Sequence, residues 1–209
     1  MHRSSMDKMQ SFRQKHLLPF QGKKLKILDL GSFDHNCSYR HMFEDPAWTY
    51  FGADLVAGDG VDVVLPDPYR WSNIASKSFD VVISGQTFEH IEFFWITMLE
   101  IRRILKPGGL VCLIAPSAGP EHRMPVDCWR FYADGFSACA AWADMEILEC
   151  ATQWSPQYYR VDDSDYWRDS LLVCRKPAVA ESWLYRLRFL LTIRVLRAWS
   201  SLPKQIPQF

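Results

Sequence analysis

Short apolar segments alternate with helical segments along most of this chain, and this alternation restricts the fold more than any other feature. Several of the apolar segments end in an acidic residue or a glycine. Segments of this kind are typical of buried parallel strands that lead into a turn. The predicted strands are 24–31, 48–55, 61–65, 79–85 and 109–116.

Helical segments lie before and between these strands. The first covers 3–18, and a second covers 93–105, where the following Lys-Pro-Gly-Gly is expected to end it. We therefore predict an α/β fold, a doubly wound, Rossmann-like sheet that is mostly parallel and has helices on both faces. A helix over 133–142 precedes segments 145–153 and 168–175, which are expected to close the sheet as an antiparallel pair.

Length and composition indicate one main domain. The chain has 209 residues, 48% of them apolar and 23% charged, which is enough for one compact domain with a core. We predict a lead-in helical segment over 1–22, a single α/β domain over 23–176 and a basic, apolar helical tail over 177–209.

Charge and cysteine content restrict the partners and the compartment. Basic and acidic side chains number 24 each, so the chain lacks the basic excess of a nucleic-acid binder, and we expect no nucleic-acid partner. The six cysteines form no Cys-x-x-Cys pair, and the first twenty residues lack an apolar signal segment. The expected localisation is cytoplasmic.

The tail over 177–209 differs in charge from the rest of the chain. It carries five basic side chains and one acidic one, mixed with bulky apolar residues such as Trp183, Phe189 and Trp199. Two interpretations of this helix remain open. It packs on its own domain or on a second copy to form a homo-oligomer, or it contacts a membrane surface peripherally.

Two acidic strand ends are the first candidates for ligand binding. Asp29 ends the first strand and is followed by Gly31, which lets the backbone pass close beneath a ligand. Asp54 ends the second strand, where a carboxylate can accept both hydroxyls of an adenosine ribose. Further glycines after Gly31 are absent, which argues against a pyrophosphate cradle and against NAD.

The order of four motifs resembles a known family. Asp-Leu-Gly at 29–31, Asp54, FDVVISGQTFEHI at 79–91 and Leu-Lys-Pro-Gly-Gly at 105–109 together resemble the class I S-adenosylmethionine-dependent methyltransferases. Within these, the chain looks most like the small methyltransferase-domain group with a LEHV…LKPGG signature. PVDCWRFYADGF at 125–136 is similar to a segment of members associated with sugar and cell-surface glycan pathways.

The resemblance implies a binding site for S-adenosylmethionine, beginning at the first strand. Gly31, Ser32 and Phe33 correspond to the loop beneath the methionine part of the cofactor. Asp29 corresponds to the acid that orders this loop or meets the amino group. Asp54 corresponds to the acid that binds the ribose.

Four further positions complete the cofactor site that the resemblance implies. Asp67 lies just past the third strand, near where the family holds the adenine amino group. Ser84, Gly85 and Gln86 end the fourth strand and are expected beside the sulfonium and its methyl group.

The acceptor side of the site is expected to contain the residues that move a proton. Methyl transfer needs the acceptor about 3 Å from the methyl carbon, and a base when the acceptor is a hydroxyl. His122 and His90 are the candidate bases, although His90 also fits a packing and capping role. Asp127, Trp129 and Arg130 either line the acceptor site or hold its loop through an Asp-Arg ion pair.

The same motif also bears on metal binding. Gln86-x-x-Glu89-His90 is similar to the Glu-x-x-Glu-His arrangement of some methyltransferases that bind a divalent cation. Gln86 removes one of the charged ligands that a hard cation prefers. We therefore predict no metal ion.

Three functions from different classes are compatible with these residues. The first is an enzyme that transfers methyl from S-adenosylmethionine to oxygen of a small-molecule or sugar acceptor, in glycan or natural-product biosynthesis. The second is a methyltransferase that acts on RNA or protein, although the acidic body offers no track for a polyanion. The third is a methyltransferase-like protein that binds a ligand or partner without catalysis, because the later glycines are missing.

Overall fold

The computed structural model describes residues 2–33, 38–153 and 162–178. Of the tail it describes six helical positions, all of them exposed: Leu187, Leu190, Leu191, Arg194, Val195 and Ala198. Residues up to Ala178 form one compact unit, and residues from Val179 form a second. The predicted contact residues Trp183, Phe189 and Trp199 lie outside the described residues. Among the helices that are described, none is long and apolar enough to cross a bilayer.

Seven strands form one sheet, and their positions follow the predicted alternation. They are β1 Leu25–Leu30, β2 Trp48–Asp54, β3 Val63–Val64, β4 Phe79–Gly85, β5 Leu105–Ala115, β6 Glu146–Thr152 and β7 Ser170–Arg175. The strand order is β3-β2-β1-β4-β5-β7-β6. β7 runs antiparallel to β5 and β6, and the remaining neighbours are parallel. The predicted mostly parallel sheet with an antiparallel closing pair is confirmed.

Within the described residues up to Ala178, four α-helices accompany the sheet: α1 Arg3–Phe12, α2 Phe94–Ile104, α3 Ala133–Trp142 and α4 Ser164–Trp167. The chain leaves α1 through a π-helical turn over Arg13–Leu17 and a 3-10 turn over Leu18–Phe20. Pro19 in the second turn ends the helical segment, because proline lacks the amide hydrogen that a longer helix needs.

The core lies on both faces of the sheet. On one face, Met9 and Phe12 of α1 pack in a single buried cluster with Ile27, Val81 and Ile83 of the central strands. Side chains alternate along a strand, and the neighbours that point the other way are also fully buried: Leu28, Val82, Val111 and Leu113. Both faces are therefore covered, as expected for strands that are apolar throughout.

The Lys-Pro-Gly-Gly segment differs from its predicted role. It does not follow the helix as a loop, because α2 ends at Ile104 and β5 begins at the next residue. Leu105 pairs with Phe79 of β4, and the register shifts before Leu110 pairs with Val81. Pairing with β4 therefore draws this segment into the strand, where the glycines allow the irregularity.

The fold brings several chain segments to one edge. The parallel strands β1, β2, β4 and β5 all end there, and β7 starts there because Ser170 pairs with Ala115. Strand order reverses between β1 and β4. Ligands of doubly wound sheets bind at such a reversal, beyond the carboxyl ends of the strands. A ligand is therefore expected at this edge, beyond the ends of β1 and β4.

Candidate functional site

A buried carboxylate lies near the end of β1. Asp29 is 4% exposed, and the hydroxyl of Tyr50 donates a hydrogen bond to its Oδ2 at 2.5 Å. Burial raises the pKa of Asp29 to about 7, although the Tyr50 hydrogen bond and the positive charge of Arg40 oppose this shift. A cation bound at this edge would favour the ionised form of Asp29.

The turn after β1 is held against the neighbouring strands. Gly31 has a φ of +79°, in the region that glycine adopts most readily. Its amide donates to the carbonyl of Ala53 at 2.8 Å, and the buried Ser32 hydroxyl donates to the carbonyl of Gly60 at 3.2 Å. The predicted cofactor loop is thus an ordered turn that runs beside the end of β2.

Asp54 joins this turn to the loop after β2. Its Oδ2 accepts a hydrogen bond from the amide of Phe33 at 3.2 Å. Its Oδ1 accepts from the amides of Leu55 at 2.7 Å and Val56 at 3.4 Å. A carboxylate has about four acceptor positions, so Asp54 keeps capacity for a further donor.

Asp67 is placed differently from the other predicted cofactor residues. It is exposed in the loop after β3, and its Oδ1 accepts a hydrogen bond from the amide of Tyr69 at 2.6 Å. This bond holds the turn that leads to the buried Tyr69 ring. Asp67 therefore has a local structural role, and its contact with the cofactor stays a prediction.

The end of β4 is fixed by contacts on two sides. The Ser84 hydroxyl is buried and donates to the carbonyl of Leu30 at 2.8 Å, which ties β4 to β1. A β-carbon on Gly85 would overlap the hydroxyl of the buried Tyr39. Only glycine therefore fits at this position without moving Tyr39.

Gln86 follows β4 and connects it to the start of β7. Its φ is +57°, and its Nε2 donates to Oδ1 of Asp169 at 3.0 Å. Asp169 is fully buried, and its Oδ2 accepts a hydrogen bond from the hydroxyl of Ser4. The same oxygen lies 3.1 Å from Nδ1 of His2. Sequence reasoning missed Asp169 because it lies inside a predicted strand. The sequence signal that could have revealed Asp169 is its position just before an antiparallel strand, because such a strand starts at the edge where the parallel strands end.

The two candidate histidines come together at the same edge. The rings of His90 and His122 meet edge to face, with centroids 4.9 Å apart. Nδ1 of His90 donates to the carbonyl of Val126 at 2.6 Å, because a carbonyl can only accept. Burial lowers the pKa of His90, which favours the neutral ring with an unprotonated Nε2.

Glu89 is a member of this group that the sequence-based site did not include. Its side chain is fully buried, and neither carboxylate oxygen has a hydrogen-bond partner. Its Oε1 lies 3.7 Å from Nε2 of His90. Burial raises the pKa of Glu89 to about 8. The sequence signal for Glu89 was its place beside His90, after a strand that ends at the ligand edge.

Asp127 and Arg130 form a two-pronged ion pair in the loop over the histidines. The guanidinium donates to Oδ1 at 2.6 Å and to Oδ2 at 2.8 Å, and the amide of His122 donates to Oδ2 at 2.7 Å. Burial raises the pKa of Asp127, but the hydrogen bonds from Arg130 and His122 outweigh it and lower the pKa to about 2. The structure contains the ion pair of the second interpretation, and a role of Asp127, Trp129 and Arg130 in lining the acceptor site stays a prediction.

An aromatic cleft of about 640 Å³ lies beside this loop. Trp129 and Tyr132 on its wall are 39% and 51% exposed. Arg130 lines the cleft and also forms the ion pair with Asp127. The indole of Trp129 donates to the carbonyl of Glu92 at 3.1 Å, which fixes the orientation of the ring. Predicted acceptor residues thus line a cleft of the size that small ligands occupy.

Comparison with known proteins supports the resemblance. A family model described as a methyltransferase domain matches residues 52–113. No curated protein sequence matches the chain.

Several solved structures share the fold at low sequence identity. The 1,6-didemethyltoxoflavin-N1-methyltransferase of Burkholderia thailandensis is 14% identical, with a TM-score of 0.62 over 83% of this chain and 79% of that one. An S-adenosylmethionine-dependent methyltransferase from Mesorhizobium loti is 16% identical, with a TM-score of 0.55 over 73% and 91%. The cyclase SpnF is 16% identical, with a TM-score of 0.61 over 83% and 82%. Over residues 52–113 the chain is similar to a methyltransferase domain, and its fold is that of class I S-adenosylmethionine-dependent methyltransferases.

Proposed function

We propose that this protein binds S-adenosylmethionine beyond β1 and β2 and transfers its methyl group to a hydroxyl oxygen of a small-molecule or sugar acceptor. Bound S-adenosylmethionine supplies a methyl group that its sulfonium already activates. The protein then has to bind the two reactants, orient them in line and accommodate the acceptor's proton.

The residues at the edge of the sheet fit this cofactor. Gly31 gives a turn in which the backbone passes close to the strand ends, and the carboxylates of Asp29 and Asp54 accept hydrogen bonds there. An amine fits beside Asp29, because a buried carboxylate gains from a neighbouring cation. Ribose hydroxyls fit the remaining acceptor positions of Asp54. Ser32, Phe33, Asp67, Ser84, Gly85 and Gln86 stay predicted cofactor residues.

The aromatic cleft is the observation that carries the acceptor class. The exposed rings of Trp129 and Tyr132 combine apolar faces with the phenolic hydroxyl of Tyr132, a combination suited to the ring faces and hydroxyls of a sugar. The size of the cleft, about 640 Å³, favours a small acceptor over a polymer.

The acceptor loop has a second role in positioning. Asp127 fixes Arg130 through two hydrogen bonds and holds the amide of His122. The loop therefore presents Arg130 and the imidazole of His122 in a defined arrangement. That His122 or His90 accepts the proton of the hydroxyl remains a prediction.

A methyl-transfer assay on an acceptor panel tests this proposal. Purified protein is incubated with S-adenosylmethionine and with nucleotide sugars, oligosaccharides, RNA or protein, and release of S-adenosylhomocysteine is measured. We expect turnover with a sugar acceptor, and we expect Tyr132→Ala to raise the acceptor KM without changing cofactor affinity. Phe20→Ala, which removes an exposed aromatic ring outside the cleft, is the control. Turnover with RNA or protein alone would contradict the proposed acceptor class.

A further inference from the structure

The group Glu89, His90 and His122 has the spacing of a set of metal ligands. One ligand atom from each residue lies within 4.8 Å of the other two. The distance between Oε1 of Glu89 and Nε2 of His90 is 3.7 Å. A tetrahedral ion with bonds of about 2.1 Å holds its ligand atoms about 3.4 Å apart. Small side-chain rotations would therefore bring the three atoms onto one ion.

Glu89 supplies an independent sign that a ligand belongs here. Its side chain is fully buried, and both carboxylate oxygens lack a hydrogen-bond partner. Buried polar atoms are nearly always paired, so an orphaned carboxylate calls for a partner such as an ion. The nearest polar atom in the group is Nε2 of His90, which has no proton to donate when the ring is neutral and Nδ1 carries the proton.

The imidazole of His90 is oriented as metal-binding histidines usually are. The carbonyl of Val126 accepts the Nδ1 proton of His90 at 2.6 Å, which leaves the Nε2 lone pair towards Glu89. Nδ1 of His122 lies 3.4 Å from Oδ2 of Asp127 without a hydrogen bond between them, so it is a further buried polar atom of the group that lacks a hydrogen-bond partner. Histidine ligands characteristically use one nitrogen for the metal and give the other to a carbonyl or carboxylate.

We propose that Glu89, His90 and His122 bind one divalent transition-metal ion of the Zn²⁺ class. Two imidazoles and one carboxylate suit such an ion, whereas Mg²⁺ and Ca²⁺ prefer oxygen ligands alone. His122 has a side chain that is 33% exposed and offers a route of entry. The proposal of this metal site rests on the positions of the three ligand atoms and does not depend on methyl transfer. In the loaded protein the two imidazoles are ligands and no longer serve as bases.

The predicted absence of a metal rested on Gln86, and the structure gives that residue another role. Gln86 donates to Asp169, so it is turned to the start of β7. The third ligand comes instead from His122, in the loop after β5. His122 lies outside the motif that follows the fourth strand, so the spacing within that motif could not reveal this ligand.

Metal titration of the tag-free, full-length protein tests the site. After removal of bound ions with a chelator, Zn²⁺ is titrated calorimetrically, Co²⁺ binding is followed by its visible absorption, and Mg²⁺ serves as the comparison ion. We expect about one equivalent of Zn²⁺, a Co²⁺ spectrum of low coordination number and no comparable affinity for Mg²⁺. Glu89→Gln and His122→Ala should each weaken Zn²⁺ binding by at least about tenfold.

Two control variants separate this site from adventitious binding. His41→Ala removes an exposed histidine outside the group, and Cys128→Ser removes an exposed thiol of the same loop. Both should bind Zn²⁺ as the wild type does. Circular dichroism establishes that each variant is folded, and His122→Ala serves alone if Glu89→Gln does not fold. The absence of saturable Zn²⁺ binding by folded protein, or undiminished binding by folded His122→Ala, overturns the proposal.

Discussion

Gly31 lies directly against Thr87, so that a β-carbon on Gly31 would overlap the Thr87 hydroxyl. The same hydroxyl lies 3.3 Å from the carbonyl of Leu30 and 3.2 Å from that of Gly85. Thr87 therefore joins the ends of β1 and β4, the two strands between which the strand order reverses. Gly31 and Thr87 pack against each other at the bottom of the crevice that is expected to receive the ligand. A larger residue at position 31 would not fit there without moving Thr87.

Gly31→Ala should destabilise the protein and weaken cofactor binding. Alanine is strained at a φ of +79°, and its methyl group would collide with Thr87. We expect a loss of about 1–3 kcal/mol in the free energy of unfolding, measured by urea denaturation. Gly135→Ala is the matched control, because Gly135 lies in α3 with open space around it and should gain about 0.5–1 kcal/mol. Equal effects of the two variants would contradict the assigned role of Gly31.

Asp54→Ala should weaken binding of S-adenosylhomocysteine. The change removes the acceptor proposed for the ribose hydroxyls and releases the amide of Phe33. Hydrogen bonds to a charged group contribute about 1.5–3 kcal/mol, which is roughly a tenfold to 150-fold loss in affinity. Titration calorimetry measures it, and Asp59→Ala, an exposed acid of the following loop, is the control. Unchanged affinity of Asp54→Ala would remove Asp54 from the cofactor site.

Asp127→Ala should destabilise the loop that carries His122. The Asp127 side chain is 2% exposed and binds Arg130 through both oxygens, so its loss leaves a partly buried guanidinium with backbone carbonyls as acceptors and no carboxylate. We expect a cost of about 2–3 kcal/mol. Glu121→Ala breaks an exposed ion pair with Arg123 and should cost less than about 1 kcal/mol.

The Asp127 contribution should also depend on pH. The folded pKa, about 2, lies below the ordinary 3.8, so the unfolded state binds the proton first. The contribution is therefore complete above the ordinary pKa and is lost as the pH falls towards about 2. The stability difference between wild type and Asp127→Ala should narrow over that range, and a constant difference would contradict the assigned pair.

Asp29 should give the opposite pH dependence. Burial raises its folded pKa from 3.8 to about 7, so the folded state binds the proton more tightly than the unfolded state does. Its favourable contribution is present at low pH and is lost as the pH rises through about 7. Asp29→Asn keeps an acceptor for the Tyr50 hydroxyl and cannot ionise. Its stability relative to wild type, from urea unfolding at about pH 5 and pH 8, should therefore rise with pH. A pH-independent difference would rule out the raised pKa.

Local patterns carried the prediction of the strands. All seven strands lie where apolar segments occur in the sequence, and the apolar signal is continuous in the central strands β1, β4 and β5 because they are largely buried on both faces. Lys-Pro-Gly-Gly is the exception. Its proline and glycines resemble a helix end, but pairing of Leu105 with Phe79 extends β5 through it. Tertiary pairing here overrode a local signal.

Only those residues of the site that follow the end of a strand could be predicted from the sequence. Both histidines follow strands that end at one edge, so their proximity could be anticipated. The orphaned carboxylate of Glu89 could not, because it depends on the loop whose Cys128 amide donates to the Glu89 carbonyl at 2.7 Å. Asp169 escaped detection for a similar reason, since its contacts with Ser4 and Gln86 join distant parts of the chain.

The central claim is that the crevice beyond β1 and β2 binds S-adenosylmethionine. Calorimetric titration of the purified full-length protein with S-adenosylmethionine and with S-adenosylhomocysteine tests it most directly. We predict saturable binding of both, at about one molecule per chain, with affinity that increases with pH through about 7 as Asp29 ionises. No binding by protein that circular dichroism shows to be folded would contradict the account and favour a methyltransferase-like protein without catalysis.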